Sequence, residues 1–227
     1  MPINGVLTAT SYAILGLLAI RPWTTYELAK QMDRTLNRFW PRARSKLYEE
    51  PKKLVAQGLA TATPGVHGRR PRTVYAITQS GRRALSEWLA TDSAPPVFES
   101  EHLLKVFYAE SGTSADALAT LANLRAWIHE RTLHNLRVAT SYLEGSGPYP
   151  ERFPILVLTG RFLDDQLEMM DRWASWASDV ISTWPTEPQQ ATPDVAAMAV
   201  TARQAADRAK RYAAASGSDG HAAAGEH

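Results

Sequence analysis

The 227-residue chain contains no cysteine. That excludes a disulfide framework, a thiol nucleophile and any zinc site built on cysteine. A long apolar run is also missing. Leu7 to Ile20 is apolar but short, with Thr, Ser and Tyr inside it, so it is expected to form a buried helix and neither a signal peptide nor a membrane span. The expectation is a soluble, cytoplasmic chain with no membrane partner. Catalytic signatures are scarce too. No Gly-rich phosphate loop follows a strand, and no nucleophile elbow is present. His129 and His134 lie about 140° apart round a helix, whereas joint ligation of one metal needs the four-residue spacing that puts both on one face. Asp164, Asp165 and Asp171 have no positioned partner for general acid–base work. Gly65-Val66-His67-Gly68 falls between two strands, not between the two helices that flank an RNA-clamping loop. No metal, no cofactor and no enzymatic activity are expected.

What the chain does have is a charge split. The net charge is +2, yet residues 1–90 carry 14 Lys/Arg against 5 Asp/Glu, while residues 91–227 carry 11 against 18. An N-terminal excess of +9 beside a C-terminal excess of −7 suits a polyanion partner for the first part.

The N-terminal pattern is helical from about Thr8 to Ala19, with Ile14, Leu15, Leu17 and Leu18 forming a broad apolar face. Arg21-Pro22 ends it. Thr24-Thr25-Tyr26-Glu27 matches a capping box, opening a second helix to about Leu36 with Leu28 and Met32 inward. Phe39-Trp40-Pro41 leads to a third. On a helical wheel with Ser45 at zero, Leu47, Pro51, Leu54 and Gly58 share one side, and Ser45, Glu49, Lys52 and Lys53 the other, with Lys46 and Tyr48 at the flanks. Pro51 removes a hydrogen bond and clashes with the preceding turn if it is interior. Either the helix bends there or its regular part begins near Tyr48. Leu59 to Thr63 reads as a strand, Pro64-Gly65 as a turn, and Arg72 to Thr78 as a second strand. The loop between them carries Arg69, Arg70 and Arg72 with His67 and no acid. Thr78 then caps a helix whose Leu85, Trp88 and Leu89 are expected to return to the core. Three helices and a hairpin make a winged helix-turn-helix, assigned to residues 1–93.

Phosphate contact needs Arg, Lys or hydroxyl donors on a protruding surface. Arg42, Arg44, Lys46, Tyr48, Lys52 and Lys53 meet that need around the third helix. Ser45 and Lys52, central on its exposed arc, are candidates for base edges. Glu49 could accept from a cytosine amino group or simply pair with Lys53. Arg69, Arg70 and Arg72 on the wing suit the minor groove, where the potential is most negative.

Five segments, in order, carry a resemblance: Tyr12-Ala13-Ile14-Leu15-Gly16-Leu17-Leu18, Tyr26-Glu27-Leu28, Ser45-Lys46-Leu47-Tyr48, Leu54-Val55-Ala56-Gln57-Gly58-Leu59 and Tyr75-Ala76-Ile77-Thr78-Gln79-Ser80-Gly81. Over roughly residues 8–90 the chain resembles the PadR family of bacterial transcriptional regulators. It departs from the family pattern at Thr25, where Gly is usual. It departs again at the third helix, where Pro usually follows the Tyr directly and Leu usually stands in the place of Pro51. The resemblance implies a DNA-binding regulator. It also implies dimerisation, since larger members pair through a C-terminal helical domain, and it allows response to phenolic acids or planar drugs.

Ala94-Pro95-Pro96 reads as a stiff linker. A helix over Glu99 to Ser111 is expected to turn Leu103, Leu104 and Phe107 inward. Ser114 opens a long helix to about Leu143, through Leu118, Leu121, Leu124, Ile128 and Leu136, reaching about 45 Å. Gly145 to Pro150 turns the chain, and a second long helix from about Arg152 to Thr183 packs back antiparallel, within a helical domain spanning residues 97–184. This helix has two apolar stripes. One is Ile155, Phe162, Met169, Trp173, Trp176, Val180 and Trp184; the other is Leu156, Leu163, Leu167, Met170, Ala174, Ala177 and Ile181. A helix on a monomer's surface needs one stripe. The second calls for another subunit, so Phe162, Met169, Trp173, Trp176, Val180 and Trp184 are assigned to a dimer interface. Trp127, Trp173 and Trp176 could instead line a pocket for a planar or aromatic effector. Residues 185–227 read as a Pro- and Gln-rich linker, an Ala-rich helix from Thr192-Pro193 to about Tyr212, and a disordered tail.

The fold class expected is mainly α: an N-terminal winged helix-turn-helix followed by an antiparallel helical dimerisation domain. The function expected is that of a homodimeric repressor on double-stranded operator DNA, relieved by a small molecule. The alternative is an adaptor whose winged domain binds another protein.

Overall fold

The computed structural model describes residues 6–41, 44–67 and 70–222, and the side chains of these except at 37, 44–47, 66, 67, 70, 71 and 215–222. The chain divides into two compact units, Met1–Val97 and Phe98–His227.

In the first unit, α1 (Ala9–Ile20) begins at Thr8, whose hydroxyl accepts from the Ser11 amide while Ser11 returns a bond to the Thr8 amide. Its Ile14, Leu15, Leu17 and Leu18 are buried, as the spacing predicts. After Arg21-Pro22 a short strand, β1 (Trp23–Thr24), leads into α2 (Thr25–Arg34). The Trp23 indole is buried and donates to the Leu17 carbonyl at 2.7 Å. Thr24 and Glu27 form the expected capping box, and Leu28 and Met32 face inward. One 3-10 turn at Leu36–Arg38 separates α2 from α3 (Arg44–Ala56).

The wing differs from its expected form. Strands β2 (Ala60–His67) and β3 (Arg70–Ile77) pair antiparallel in continuous register from Ala60↔Ile77 to His67↔Arg70. Pro64 and Gly65 are therefore not a turn: they lie within β2, opposite Thr73 and Arg72. The sheet order β1-β3-β2 makes β2 an edge strand, where a missing N–H costs no internal ladder bond. On the far side of β3, β1 pairs through Trp23↔Tyr75 and Thr24↔Val74, a third strand too short for any periodicity to announce.

Thr78 caps α4 (Gln79–Leu89), accepting from the Gly81 amide at 3.0 Å and donating to the Gly58 carbonyl at 2.8 Å. Gly58 ends α3 with φ of 71°, a conformation that suits glycine at a helix C-terminus. Trp88 stacks flat on Tyr12, rings 4.8 Å apart and 5° from parallel. Trp88 and Leu89, both expected in the core, are 36% and 70% exposed: α4 meets α1 through one face of the Trp88 ring, and the next residue points about 100° away.

In the second unit, α5 (Glu101–Phe107) is shorter than expected and gives way to a 3-10 turn at Ala109–Ser111. Leu103, Leu104 and Phe107 are exposed, not inward. Two 30-residue helices follow, α6 (Ser114–Leu143) and α7 (Phe153–Ser182). The cap of α6 is Thr113, not Ser114, because Asp116 completes a box with it. The Ser114 amide bonds the Thr186 carbonyl, tying the start of α6 to the end of α7, so the two run antiparallel. Between them lies one core: Ala117, Leu121, Leu124 and Ile128 against Leu167, Met170, Ala174, Ala177 and Ile181. Leu136, expected inside, is exposed, as it lies in the distal half of α6 beyond that core. The final helix, α8 (Val195–Ala222), continues past Tyr212 through the first ten residues of the stretch expected to be disordered. From Val195 to Ala214 every residue but Ala197 is exposed. Residues 1–5 and 223–227 lie outside the described residues. Among the described residues no helix is long and apolar enough to cross a membrane.

Two stability predictions follow from the first unit. A Cβ on Gly81 would collide with the Leu59 carbonyl oxygen and stand 2.9 Å from the Ile77 side chain. Gly81→Ala should therefore destabilise the unit by about 1–3 kcal/mol, read as a lowered Tm; an unchanged Tm would contradict the packing. Burial alone would raise the Glu27 carboxyl, but bonds from the Thr24 amide and hydroxyl and from Arg21 hold it below the usual carboxylate range. A depressed folded-state pKa gives stability that is present above the unfolded value and lost as pH falls through the folded one. Glu27→Gln should be about 1 kcal/mol less stable near neutrality. It should also show a shallower loss between pH 6 and 3 in urea titrations, and parallel pH profiles for the two proteins would overturn this assignment.

Candidate nucleic-acid interface

Helix α3 packs against α1, α2 and β2. Leu54 is completely buried, and the ring of Pro51 is buried with it. Pro51 lies inside the helix, well past its first turn, which excludes a helix that starts near Tyr48. Its ring fills core volume on the face turned toward the unit's interior. The opposite face then has to meet solvent.

That outer face carries Tyr48, Glu49, Lys52 and Lys53, all exposed. On the wing, Arg72 is exposed on β3 and its cross-strand neighbour is Gly65, which places no side chain opposite it. Arg42 and Arg69 lie outside the described residues, as do the side chains of Arg44, Ser45, Lys46 and Arg70. The described part of the expected set thus comprises two lysines, a tyrosine and a glutamate on one helix face, and an arginine on the wing.

One residue of α3 was not anticipated. Glu50 is 6% exposed, at the border between the buried and outer faces. Its Oε2 accepts from the Ser11 hydroxyl at 2.8 Å, and its Oε1 accepts from the Lys53 ammonium at 2.9 Å. Lys53 therefore pairs with Glu50, not with Glu49 as one expectation had it. The hydrogen bond it donates to Glu50, and then the Glu50 charge, hold the Lys53 ammonium above the usual lysine range. Nearby, the Trp40 indole donates to the Thr10 hydroxyl at 3.3 Å, fastening the connection between α2 and α3 onto α1. The wheel position of Glu50, about 40° from Leu54, was the signal available.

In the second unit the two stripes of α7 fare differently. Leu163, Leu167, Met170, Ala174, Ala177 and Ile181 are buried, the last five in the core shared with α6, whereas Ile155, Phe162, Met169 and Trp176 are exposed. Leu158 extends the exposed stripe. Trp173 and Trp184, placed with it on the wheel, pack partly on their own chain's core, and Val180 is half-buried. Trp127 and Trp176 are exposed, and among the described residues no ring contact joins them to each other or to Trp173. Arg131 instead lies over Trp127 at 5.6 Å. A cleft of about 410 Å³ opens at the end of α7, lined by Val180, Thr183, Trp184 and Gln190 with the acids Asp179 and Asp194.

Residues 14–87 match the family model described as the transcriptional regulator PadR-like family. The chain is 31% identical over 99 residues to the negative transcriptional regulator PadR of Bacillus subtilis, a match covering 43% of this chain and 54% of that one. It spans about half the length of the curated relatives it matches. A crystal structure of B. subtilis PadR in complex with operator DNA has a TM-score of 0.62 at 23% identity, covering 77% of this chain and 99% of that one. Another, of the same protein with p-coumaric acid, has a TM-score of 0.55 at 22% identity over 77% and 99%. At these identities the two structures establish the fold, a winged helix-turn-helix followed by C-terminal helices. Residues 14–87 thus form a domain of the transcriptional regulator PadR-like family.

Proposed function

We propose that the chain is a homodimeric, sequence-specific DNA-binding regulator, a repressor whose hold on an operator is relieved by a small molecule. The observation that carries this reading is the outer face of α3. Lys52 and Lys53 stand exposed there, opposite a fully buried Leu54, in a half of the chain with an excess of nine positive charges. A basic helix held outward by its own packing suits a major groove, and a basic wing suits the neighbouring minor groove. In this reading residues 1–93 read DNA, with Arg42, Arg44, Ser45, Lys46, Tyr48, Glu49, Lys52, Arg69, Arg70 and Arg72 as contacts, while Lys53, expected among them, is engaged by Glu50. Residues 97–184 pair the subunits through the stripe that α6 leaves uncovered. Bacillus subtilis PadR, solved with operator DNA and with p-coumaric acid, supports the operator and small-molecule parts of the reading. In this reading Trp127, Trp173 and Trp176 line the effector site between helices. The direct experiment is gel retardation of the DNA upstream of the chain's own coding sequence, with and without p-coumaric acid as the effector probe. Failure to retard that DNA at low ionic strength would end the proposal.

Two substitutions separate the roles. Lys52→Ala should cost about 1–3 kcal/mol on the preferred duplex and less on an unrelated one. Arg72→Ala should weaken binding to both alike and reduce the salt slope by about 0.9. Equal, sequence-blind losses for the two would refute the role given to Lys52. For the interface, Phe162→Asp combined with Trp176→Asp should shift light scattering from the mass of two chains to that of one. A dimer that survives both charges must be held by another surface.

A further inference from the structure

The geometry points to Glu50 as a positioning residue for the DNA-reading face, an inference that rests on the proposed function. A carboxylate with 6% exposure is unusual on a solvent-facing helix, because burying a charge is unfavourable unless it is paired and hydrogen-bonded. Here each oxygen has a partner, and the partners lie in different places. Oε2 accepts from Ser11, in the first turn of α1, which Thr8 caps. Oε1 accepts from Lys53, on the outer face of α3 itself. Glu50 thus couples two things. Through Ser11 it sets the roll of α3 about its own axis relative to α1, and hence the direction in which Lys52 and Tyr48 point. Through Lys53 it neutralises one ammonium of the outer face and holds it in place.

The second coupling changes what Lys53 does. Its ammonium is expected among the phosphate contacts on charge alone, but a lysine engaged by a buried carboxylate adds little to sequence-blind attraction. Moving it to a phosphate would leave Glu50 buried with its charge uncompensated. Glu50 therefore suppresses indiscriminate binding while fixing the helix that discriminates. Glutamine at this position keeps an acceptor for Ser11 but releases Lys53. Alanine at Ser11 does the converse for α3, leaving the ion pair, and also removes the Ser11 half of the Thr8 capping box.

The test uses the full chain and two labelled duplexes of equal length, one spanning the DNA upstream of its own coding sequence and one of random sequence. Affinity is followed by fluorescence anisotropy across a salt series. Glu50→Gln is expected to bind the random duplex more tightly, with a salt slope steeper by about 0.9 for the one phosphate gained. Its preference for the upstream duplex should fall about tenfold, the scale of one charge-assisted hydrogen bond. Lys53→Ala in the natural background should leave the slope unchanged, and in the Glu50→Gln background should abolish the added slope. Ser11→Ala should lower the preference without steepening the slope, and it keeps the idea testable if Glu50→Gln fails to fold by circular dichroism. A folded Glu50→Gln protein with the natural preference and slope would overturn the inference, as would a slope reduced by Lys53→Ala alone. A natural chain that binds neither duplex would instead defeat the DNA-binding reading, and this inference with it.

Discussion

The burial of one side of α3 is the constraint on which the N-terminal unit depends. Leu54 and Pro51 fill the space against α1, α2 and β2, and a helix that commits those positions inward turns the face with Tyr48, Lys52 and Lys53 toward solvent. Around that contact the fold adds polar fasteners at the helix margins. Ser11 bonds Glu50, Trp40 bonds Thr10, and Thr78 spans the turn by taking the Gly81 amide and giving a bond to the Gly58 carbonyl. Each is worth about a kcal/mol, small beside the apolar contact, but directional. Apolar packing holds α3 down, and the hydrogen bonds determine its rotation.

The second unit works by omission. Helices α6 and α7 cover one stripe of α7 with one stripe of α6, and among the described residues the stripe through Leu158, Phe162 and Trp176 stays exposed. Leu103, Leu104 and Phe107 on α5 add to the uncovered apolar surface. Exposed apolar area of that extent marks an interaction surface. A long antiparallel hairpin with one face finished and one unfinished suits a role as the joint of a dimer.

Features that depend on neighbours in sequence were legible. The Thr24–Glu27 box, the Thr78 cap, the inward Leu28 and Met32, and the division of α7 into two stripes all follow from local spacing. Features that depend on what lies across space were not. Pro64-Gly65 carries the dipeptide signal of a turn, but its place on an edge strand removes the penalty that makes such a pair turn-forming. Ser114 and Thr113 are both capable caps, and Asp116 selects Thr113 because it sits three residues on. Leu103, Leu104, Phe107 and Leu136 are apolar with helical spacing, which says that they seek burial but not whether this chain can supply it. Glu50 was hidden for the opposite reason. A charged residue at the edge of an apolar arc reads as solvated unless its partner, Ser11, is known to lie opposite.

In the proposed function a basic winged head reads duplex DNA and an apolar helical hairpin holds two such heads together. Sedimentation velocity of the full chain mixed with its own upstream duplex, across a salt series, tests both parts in one experiment. The account predicts a pair of chains on each duplex and a complex that dissociates steeply as salt rises. A single chain per duplex, or a complex indifferent to salt, would contradict it.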